Sequence, residues 1–150
     1  MLKVGDKIPI LKGINQDGKE LLINDFEGDK LIVFIYPKDS TPGCTMEACN
    51  LRDNYELLMS KGFSIIGISA DSAKRHQNFI IKNQLPFNLI ADESKDILNS
   101  FGVWGPKKFM GKEYEGIHRT TFVVDKGGVV ERVFEKVKTK DHTNQILKSY

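Results

Sequence analysis

Short apolar runs that alternate with helical patterns constrain the fold of this chain more than any other sequence feature. Residues 31–36 are apolar, β-branched or aromatic, as expected for a strand buried on both faces, and residues 63–69 repeat this pattern. The first run is followed by a helical pattern over residues 45–61, and the second by a helix capped at Asp71 or Ser72. Strands and helices in this order predict βαβ crossovers and an α/β fold.

The remaining elements complete a sheet that has both parallel and antiparallel neighbours. They are a hairpin at residues 8–22, a strand at 87–91, a short helix at 92–100, strands at 117–125 and 129–134, and a last helix from Thr139. Residues 102–116 are the least regular stretch, and we expect them to form a loop or short hairpin near the face of the sheet that carries the active site. This order predicts a thioredoxin-like fold with a central mixed sheet flanked by helices and an N-terminal hairpin extension.

The composition is that of a globular protein, and we expect no export signal. A chain of 150 residues, 40% hydrophobic and 28% charged, suits one domain over residues 1–150. Its net charge of +2 gives no reason to expect nucleic acid as a partner. Residues 1–11 lack the apolar core of a signal peptide, and no stretch approaches a membrane span. We therefore expect a cytoplasmic protein that does not bind membranes.

Cys44 follows the first apolar run and lies where the predicted strand gives way to a helix. In the first turn of a helix it neighbours backbone N–H groups that have no intrahelical partner, and it lies at the positive end of the helix dipole. Both features favour a thiolate over a thiol, and the thiolate is the nucleophilic form. The alternative is that Cys44 is a small apolar residue of the core.

The second cysteine, Cys49, lies five residues after Cys44. In a regular helix this spacing separates the two Cα atoms by about 8–9 Å, whereas a disulfide tolerates little more than about 7 Å. The two cysteines can therefore bond only if the first turns of the helix unwind, as expected of a nucleophilic cysteine and its resolving partner. A simple buried cysteine is the alternative. The cysteines and the three histidines (His76, His118 and His142) show no zinc-ligand spacing, so we expect no metal.

Three further residues suit the chemistry of a Cys44 thiolate. Thr41, at the turn before the helix, can point its hydroxyl into the same pocket as the sulfur, and its alternative role is a helix cap. Pro42 would pin the turn and keep water from the sulfur. Arg119, near the start of a predicted interior strand, would stabilise the thiolate and offer planar donors to an oxyanion. A structural ion pair is its alternative role.

Peroxiredoxins are the protein family that these residues resemble. The spacing Pro37-x-x-x-Thr41-x-x-Cys44 resembles the active-site motif of the family. The runs at residues 41–49 and 116–122 are similar to those of the Q-type subgroup, the bacterioferritin comigratory proteins. The resemblance extends over essentially the whole chain and implies a thiol peroxidase on a thioredoxin-like fold.

The resemblance implies a role for each matching residue. Cys44 would be the peroxidatic cysteine and Cys49 the resolving one, while Thr41 and Arg119 would orient the peroxide. The implied supporting residues are Pro37, which shapes the loop, Pro42, Gly43, whose N–H stabilises the departing oxygen, and Glu47, which holds Arg119.

Hydrogen peroxide and organic hydroperoxides are the substrates that the resemblance implies. Attack by Cys44 forms a sulfenic acid, which condenses with Cys49 to an intramolecular Cys44–Cys49 disulfide. A thioredoxin-type dithiol then reduces this disulfide by thiol–disulfide exchange. The resemblance implies no metal, haem or other cofactor, and it favours a monomer.

Other cysteine-dependent functions stay open from the residues alone. A disulfide oxidoreductase of the thioredoxin type would have two residues between its cysteines, where this chain has four, and a cysteine phosphatase would need an arginine where Asn50 stands. A cysteine hydrolase could use one of the three histidines as its base. A redox sensor or binding module with the same cysteine pair shares its first step with a peroxidase.

Overall fold

The computed structural model describes residues 1–150, and its elements follow the predicted alternation. The strands are β1 (Lys12–Ile14), β2 (Glu20–Leu22), β3 (Lys30–Ile35), β4 (Phe63–Ser69), β5 (Asn88–Ala91), β6 (Trp104–Phe109), β7 (Lys112–Ile117), β8 (Thr120–Asp125) and β9 (Val130–Phe134). The helices are α1 (Pro42–Asp53), α2 (Tyr55–Ser60), α3 (Ala73–Asn83), α4 (Asp96–Phe101) and α5 (His142–Leu147). None of these helices combines the length and the apolar character that crossing a bilayer requires.

A five-stranded mixed sheet forms the centre of the fold, with the strand order β5-β4-β3-β8-β9. Strand β4 pairs in parallel with β3 and β5, whereas β8 pairs antiparallel with β3 and β9. The central strand is β3, and its residues 31–35 are all buried. A strand flanked on both edges and covered on both faces has to be apolar throughout, which explains why residues 31–36 predicted it so clearly.

Two hydrophobic cores cover the two faces of this sheet, because side chains alternate along a strand. Val33 and Ile35 of β3 belong to one core, whereas Ile32 and Phe34 belong to the other. The second core also contains Cys44 and further buried residues of α1. Helix α1 therefore packs on the sheet through the face that carries Cys44.

Two hairpins lie outside the central sheet. Strands β1 and β2 form the predicted N-terminal hairpin, and β6 and β7 form a second hairpin within the stretch predicted as a loop or short hairpin. The β6–β7 turn places Met110 at φ 52° and Gly111 at φ 79°. Two consecutive left-handed residues are typical of a tight hairpin turn.

The pairing of β8 with β3 places a segment that is distant in sequence beside the loop between β3 and α1, which precedes Cys44. Thr120, the first residue of β8, pairs with Ile35, the last residue of β3. Arg119 immediately precedes Thr120 and lies in the link between β7 and β8, outside the strand in which the sequence placed it. The link therefore runs past the end of β3 where the chain turns toward α1.

The predicted helix over residues 45–61 is two helices. Helix α1 begins at Pro42, earlier than predicted, and the chain breaks at Asn54 before α2. The Asn54 side-chain amide donates to the carbonyl oxygen of Asn50 at 2.8 Å. Because asparagine side chains compete with the backbone for such bonds, Asn54 ends α1 where periodicity alone would continue it.

The two later helices are shorter than predicted. Helix α4 begins at Asp96, because the preceding Lys95 takes a left-handed conformation with φ 67°. The carboxylate of Asp92, the first residue of the helix predicted here, still accepts a hydrogen bond from a backbone N–H of α4 at 2.8 Å. Helix α5 begins at His142 and not at Thr139.

Candidate active site

Buried hydrogen bonds fix the loop that joins β3 to α1. The Asp39 carboxylate accepts from the Tyr36 hydroxyl at 2.6 Å and lies 2.6 Å from Nδ1 of His76. The Asp39 N–H donates to the Asp71 carboxylate at 2.8 Å, and Nε2 of His76 lies 2.9 Å from the carbonyl oxygen of Ile90. Since Asp39 and His76 are both buried, these bonds tie the loop firmly to α3 and β5.

Cys44 is the third residue of α1 and only 1% exposed. The first hydrogen bond of the helix runs from the N–H of Thr45 to the carbonyl oxygen of Thr41 at 2.9 Å. The N–H groups of Gly43 and Cys44 therefore precede the intrahelical bonds and are free to meet an anion. Together with the helix dipole, they favour a negatively charged sulfur at this position.

Arg119 joins the Cys44 sulfur to a buried carboxylate. Its Nη2 donates to Sγ of Cys44 at 3.3 Å, and its Nη1 donates to Oε1 of Glu47 at 2.8 Å. Burial by itself would lower the pKa of Arg119, but the charges of Cys44 and Glu47 more than compensate and raise it. The guanidinium therefore stays protonated beside the sulfur.

Glu47 lies one helical turn after Cys44 on the same face of α1 and is completely buried. Burial raises the pKa of its carboxyl to about 7, although the adjacent Arg119 acts in the opposite direction. Its second oxygen, Oε2, has no hydrogen-bond partner and lies 3.6 Å from Nε2 of His142. Sequence reasoning considered His142 only as a metal ligand or a hydrolase base. The signal it lacked was the packing of α5 against α1.

The predicted site residues that precede Cys44 each lie in different surroundings. The Thr41 hydroxyl donates to the carbonyl oxygen of Lys38 at 2.9 Å and makes no capping bond, so its oxygen keeps lone pairs for an incoming donor. Pro42 is exposed at the first position of α1. A Cβ atom on Gly43 would lie 3.2 Å from Nη2 of Arg119, so glycine leaves room for the guanidinium. Pro37 lines a neighbouring cleft of about 340 Å³.

The structure does not bring Cys49 to Cys44. Both cysteines are free, and they lie on one continuous helix with Cys49 partly exposed. The Cys49 sulfur lies 3.8 Å from the side-chain oxygen of Asn83 in α3. Regular helix geometry keeps the two Cα atoms about 8–9 Å apart, so a bond between the cysteines requires α1 to unwind.

None of the three histidines is placed as a base for Cys44. His76 bonds to Asp39, as described above. His118 is exposed and lies 3.1 Å from the carbonyl oxygen of Pro106. His142 faces Gln145 and Thr121. The cysteine hydrolase alternative therefore lacks its general base.

Comparison with known proteins identifies the family. A family model described as the AhpC/TSA family matches residues 4–133. This chain belongs to that family. The Peroxiredoxin Bcp of Escherichia coli strain K12 is 44% identical over 146 residues, which is 97% of this chain and 94% of that protein. The Peroxiredoxin Bcp of Bacillus subtilis strain 168 is 40% identical over 148 residues, 99% of this chain and 94% of that protein.

Solved peroxiredoxin structures share the fold. Xanthomonas campestris peroxiredoxin Q superposes with a TM-score of 0.85 at 33% identity, covering 93% of this chain and 88% of that one. The bacterioferritin comigratory protein of the same species gives 0.86 at 30% identity, covering 96% of both chains. The predicted thioredoxin-like fold and the Q-type resemblance are confirmed. This peroxiredoxin is accordingly a thiol peroxidase, an oxidoreductase that uses peroxide and a thiol reductant.

Proposed function

We propose that Cys44 is the peroxidatic cysteine of this peroxiredoxin. The observation that carries the proposal is the contact of Cys44 Sγ with Arg119 Nη2 at 3.3 Å, at the amino end of α1. The cation and the free N–H groups stabilise the thiolate and leave it reactive toward an electrophile. Close contact with a guanidinium is the environment expected of a reactive cysteine, and a cysteine that serves only as core has no need of it.

In the first step the thiolate attacks one oxygen of the peroxide in line with the O–O bond. An S–O bond forms, the O–O bond breaks, and the departing oxygen leaves as water or an alcohol after taking a proton. Arg119 and the N–H groups of Gly43 and Cys44 stabilise the charge that moves onto that oxygen. Thr41 accepts a hydrogen bond from the peroxide hydroxyl, since its own proton is engaged by Lys38.

In the second step Cys49 is the resolving cysteine. Its thiolate attacks the sulfur of the Cys44 sulfenic acid, an S–S bond forms, and the sulfenic oxygen leaves as water. The first turns of α1 unwind to allow this. A thioredoxin-type dithiol then reduces the disulfide by two successive exchanges, which return both cysteines to thiols.

Both hydrogen peroxide and organic hydroperoxides are proposed substrates. The solved Xanthomonas campestris relative is described by its alkyl peroxide reduction activity, which supports the organic class. The wide cleft beside Pro37, bounded by Trp104 and Tyr114, offers space for an alkyl group near the loop.

We further propose that residues 1–150 act as one domain and as a monomer. Both cores pack on the same five-stranded sheet, and every proposed site residue comes from one chain. The two free cysteines and the need for a dithiol reductant suit the cytoplasm. The net charge of +2 is too small to favour nucleic acid as a partner.

A coupled assay tests this cycle. NADPH oxidation is followed with thioredoxin reductase, thioredoxin and hydrogen peroxide for the wild-type protein, Cys44→Ser and Cys49→Ser. Turnover is expected in the wild type and is lost in both variants. If Cys49→Ser cycled at the wild-type rate, Cys49 would not be the resolving cysteine. A wild-type disulfide without turnover would instead identify a sensor.

A further inference from the structure

The peptide group between Lys38 and Asp39 is held at both ends by side chains. Its N–H donates to Oδ2 of Asp71 at 2.8 Å, and its carbonyl oxygen accepts from the Thr41 hydroxyl at 2.9 Å. Because a carbonyl oxygen can only accept, Thr41 has to supply the proton, and its own oxygen keeps two lone pairs for other donors. The orientation of this one peptide group therefore decides which way the Thr41 hydroxyl points its proton.

The Asp71 carboxylate reaches this peptide because β3 and β4 are parallel neighbours, which places the ends of the two strands side by side. Ser69 is the last residue of β4, and Ser72 caps α3 with its side chain, so Asp71 between them is not needed as a cap. Its Oδ2 also accepts from the Ser69 hydroxyl at 2.7 Å, and its side chain is only 5% exposed. These two bonds hold the acceptor at a defined position beside the loop.

Asp39 is held by its side chain as well as by its N–H. Its carboxylate accepts from the Tyr36 hydroxyl and lies against Nδ1 of His76, each at 2.6 Å. The next residue, Ser40, takes a left-handed conformation with φ 64°, which is unfavourable for a residue other than glycine. Such a conformation persists only where the surrounding structure enforces it. The anchors on Asp39 therefore define how the chain enters Thr41.

Thr41 occupies the N-cap position of α1 without acting as a cap. A threonine at this position ordinarily accepts from the N–H of the second or third helical residue, which in α1 are Gly43 and Cys44. The extended backbone of Thr41, with φ −84° and ψ 153°, suits such a bond, yet its side chain makes none. The hydroxyl is turned to Lys38 instead. The two N–H groups therefore remain available to the departing oxygen of a peroxide.

We propose that Asp71 is a positioning residue for the peroxide step: it fixes the Lys38–Asp39 peptide, which holds the Thr41 hydroxyl as an acceptor for the peroxide and away from the helix N–H groups. A flipped peptide would point its carbonyl oxygen at the Asp71 carboxylate, and these two negative oxygens repel each other. Its N–H would then face Thr41 and occupy a lone pair of the hydroxyl. The inference rests on the proposed function, which makes Thr41 the acceptor for the peroxide.

Amide exchange measures the hydrogen bond without peroxide. By nuclear magnetic resonance of the reduced protein, the N–H of Asp39 is expected to be protected in the wild type and in Asp71→Asn, whose amide oxygen replaces Oδ2 as the acceptor. Asp71→Leu has a similar branched outline but no acceptor, so the protection is expected to be lost. A rapidly exchanging Asp39 N–H in the wild type would overturn the proposal.

Single-turnover kinetics in a Cys49→Ser background separate peroxide reduction from the reactivity of the sulfur. Asp71→Leu is expected to slow the reaction with hydrogen peroxide about tenfold, the effect of one hydrogen bond. Alkylation of Cys44 by iodoacetamide should change far less, because Arg119 still contacts the thiolate. A peroxide rate equal to that of the wild type, or equal slowing of both reactions, would overturn the inference.

Two further variants of the same segment serve as controls. Asp71→Asn keeps the acceptor and should retain the peroxide rate of the wild type. The Arg75 guanidinium lies 3.7 Å from Oδ1 of Asp71, so Arg75→Ala removes a nearby charge and leaves Oδ2 in place. It should also react as the wild type does. If Asp71→Leu does not fold, Asp71→Asn decides: a tenfold loss of the peroxide rate with Asp39 still protected would overturn the proposal.

Thr41→Val shows whether Asp71 acts through the hydroxyl. This variant removes the hydroxyl and keeps the branched shape, so it should slow the peroxide step by itself, and adding Asp71→Leu should slow it no further. A further tenfold loss in the double variant would show that Asp71 acts by another route and would overturn the inference alone. A wild type whose Cys44 alkylates readily but ignores peroxide would instead refute the proposed function, and with it the catalytic role of Asp71.

Discussion

At the scale of single residues, reactivity at Cys44 depends on one planar cation that makes two bonds. Arg119 reaches the sulfur with one nitrogen and Glu47 with another, at 3.3 Å and 2.8 Å. A guanidinium can do this because its donors are fixed in a fork, whereas an ammonium group presents a single charge centre on a flexible stem. The geometry of the cation, as well as its charge, is therefore part of the site.

Replacing Arg119 with lysine separates charge from geometry. Arg119→Lys keeps the positive charge but cannot hold Cys44 and Glu47 together, so the peroxide step is expected to slow by about two orders of magnitude, the usual effect of losing one oriented donor. Single-turnover peroxide consumption in a Cys49→Ser background measures this. An unchanged rate constant would mean that charge alone suffices.

Gly43→Ala tests how closely the guanidinium must approach. The new methyl group would lie 3.2 Å from Nη2 of Arg119 and push it from the sulfur. The peroxide step is expected to slow several-fold while the free energy of unfolding stays the same or rises, because alanine favours a helix over glycine by about 0.5–1 kcal/mol. In an Arg119→Ala background the same substitution should change nothing further. A full effect in that background would place its cause elsewhere.

At the scale of elements, α1 is a helix that has to be wound for one step and unwound for the next. Wound, it presents the N–H groups at Cys44 and brings Glu47 to Arg119. Unwound, it lets Cys49 approach. The loop before it is tied to α3 and β5 through Asp39 and His76, and the turn after Cys49 is tied to α5 through Asn50. The segment between these two anchors is the part that moves.

Hydrogen exchange locates this movement. Amides of residues 42–50 are expected to exchange faster in the disulfide form than in the reduced form, whereas amides of α3 keep their rates. Mass spectrometry of peptic peptides before and after one equivalent of peroxide measures the difference. Cys49→Ser treated in the same way should show no acceleration. Disulfide formation with unchanged exchange over residues 42–50 would contradict a local unwinding.

The same element shows what the sequence can predict and what it cannot. The apolar run at residues 31–36 and the helical spacing after it predicted β3 and the helix that carries Cys44. The break at Asn54 was missed, because its cause is a side-chain bond to the carbonyl of Asn50 and not a change of periodicity. The motif placed Glu47 and Arg119 near Cys44, where they lie. Their catalytic roles stay predictions. His142 could not be found, since its meeting with Glu47 depends on how α5 packs.

At the scale of the whole molecule, Glu47 and His142 affect stability in opposite ways, because folding shifts their pKa values in opposite directions. The pKa of Glu47 is raised from 4.5 to about 7, so its contribution is present at low pH and is lost as the pH rises toward 7. The pKa of His142 is lowered from 6.5 to about 4, so its contribution is present above pH 6.5 and is lost as the pH falls toward 4. Between pH 4.5 and 6.5, the folded pair and the unfolded pair each hold one proton, and the two slopes cancel.

Removing one member of the pair should uncover the slope of the other. Relative to the wild type, the free energy of unfolding of His142→Phe is expected to fall as the pH rises from 4.5 to 6.5, by up to about 1.4 kcal/mol per pH unit. Glu47→Gln should show the opposite slope between pH 4 and 6.5. Urea unfolding across this range measures both. Parallel curves for all three proteins would mean that neither group is shifted.

The most direct test of the account is to identify the atom that reduces peroxide. Cys49→Ser protein is treated with one equivalent of hydrogen peroxide in the presence of dimedone, and the adduct is mapped by mass spectrometry. A single adduct on Cys44 is expected, formed rapidly at neutral pH and strongly reduced in Arg119→Ala. Consumption of peroxide without an adduct on Cys44, or an adduct that forms as fast without Arg119, would contradict the site described above.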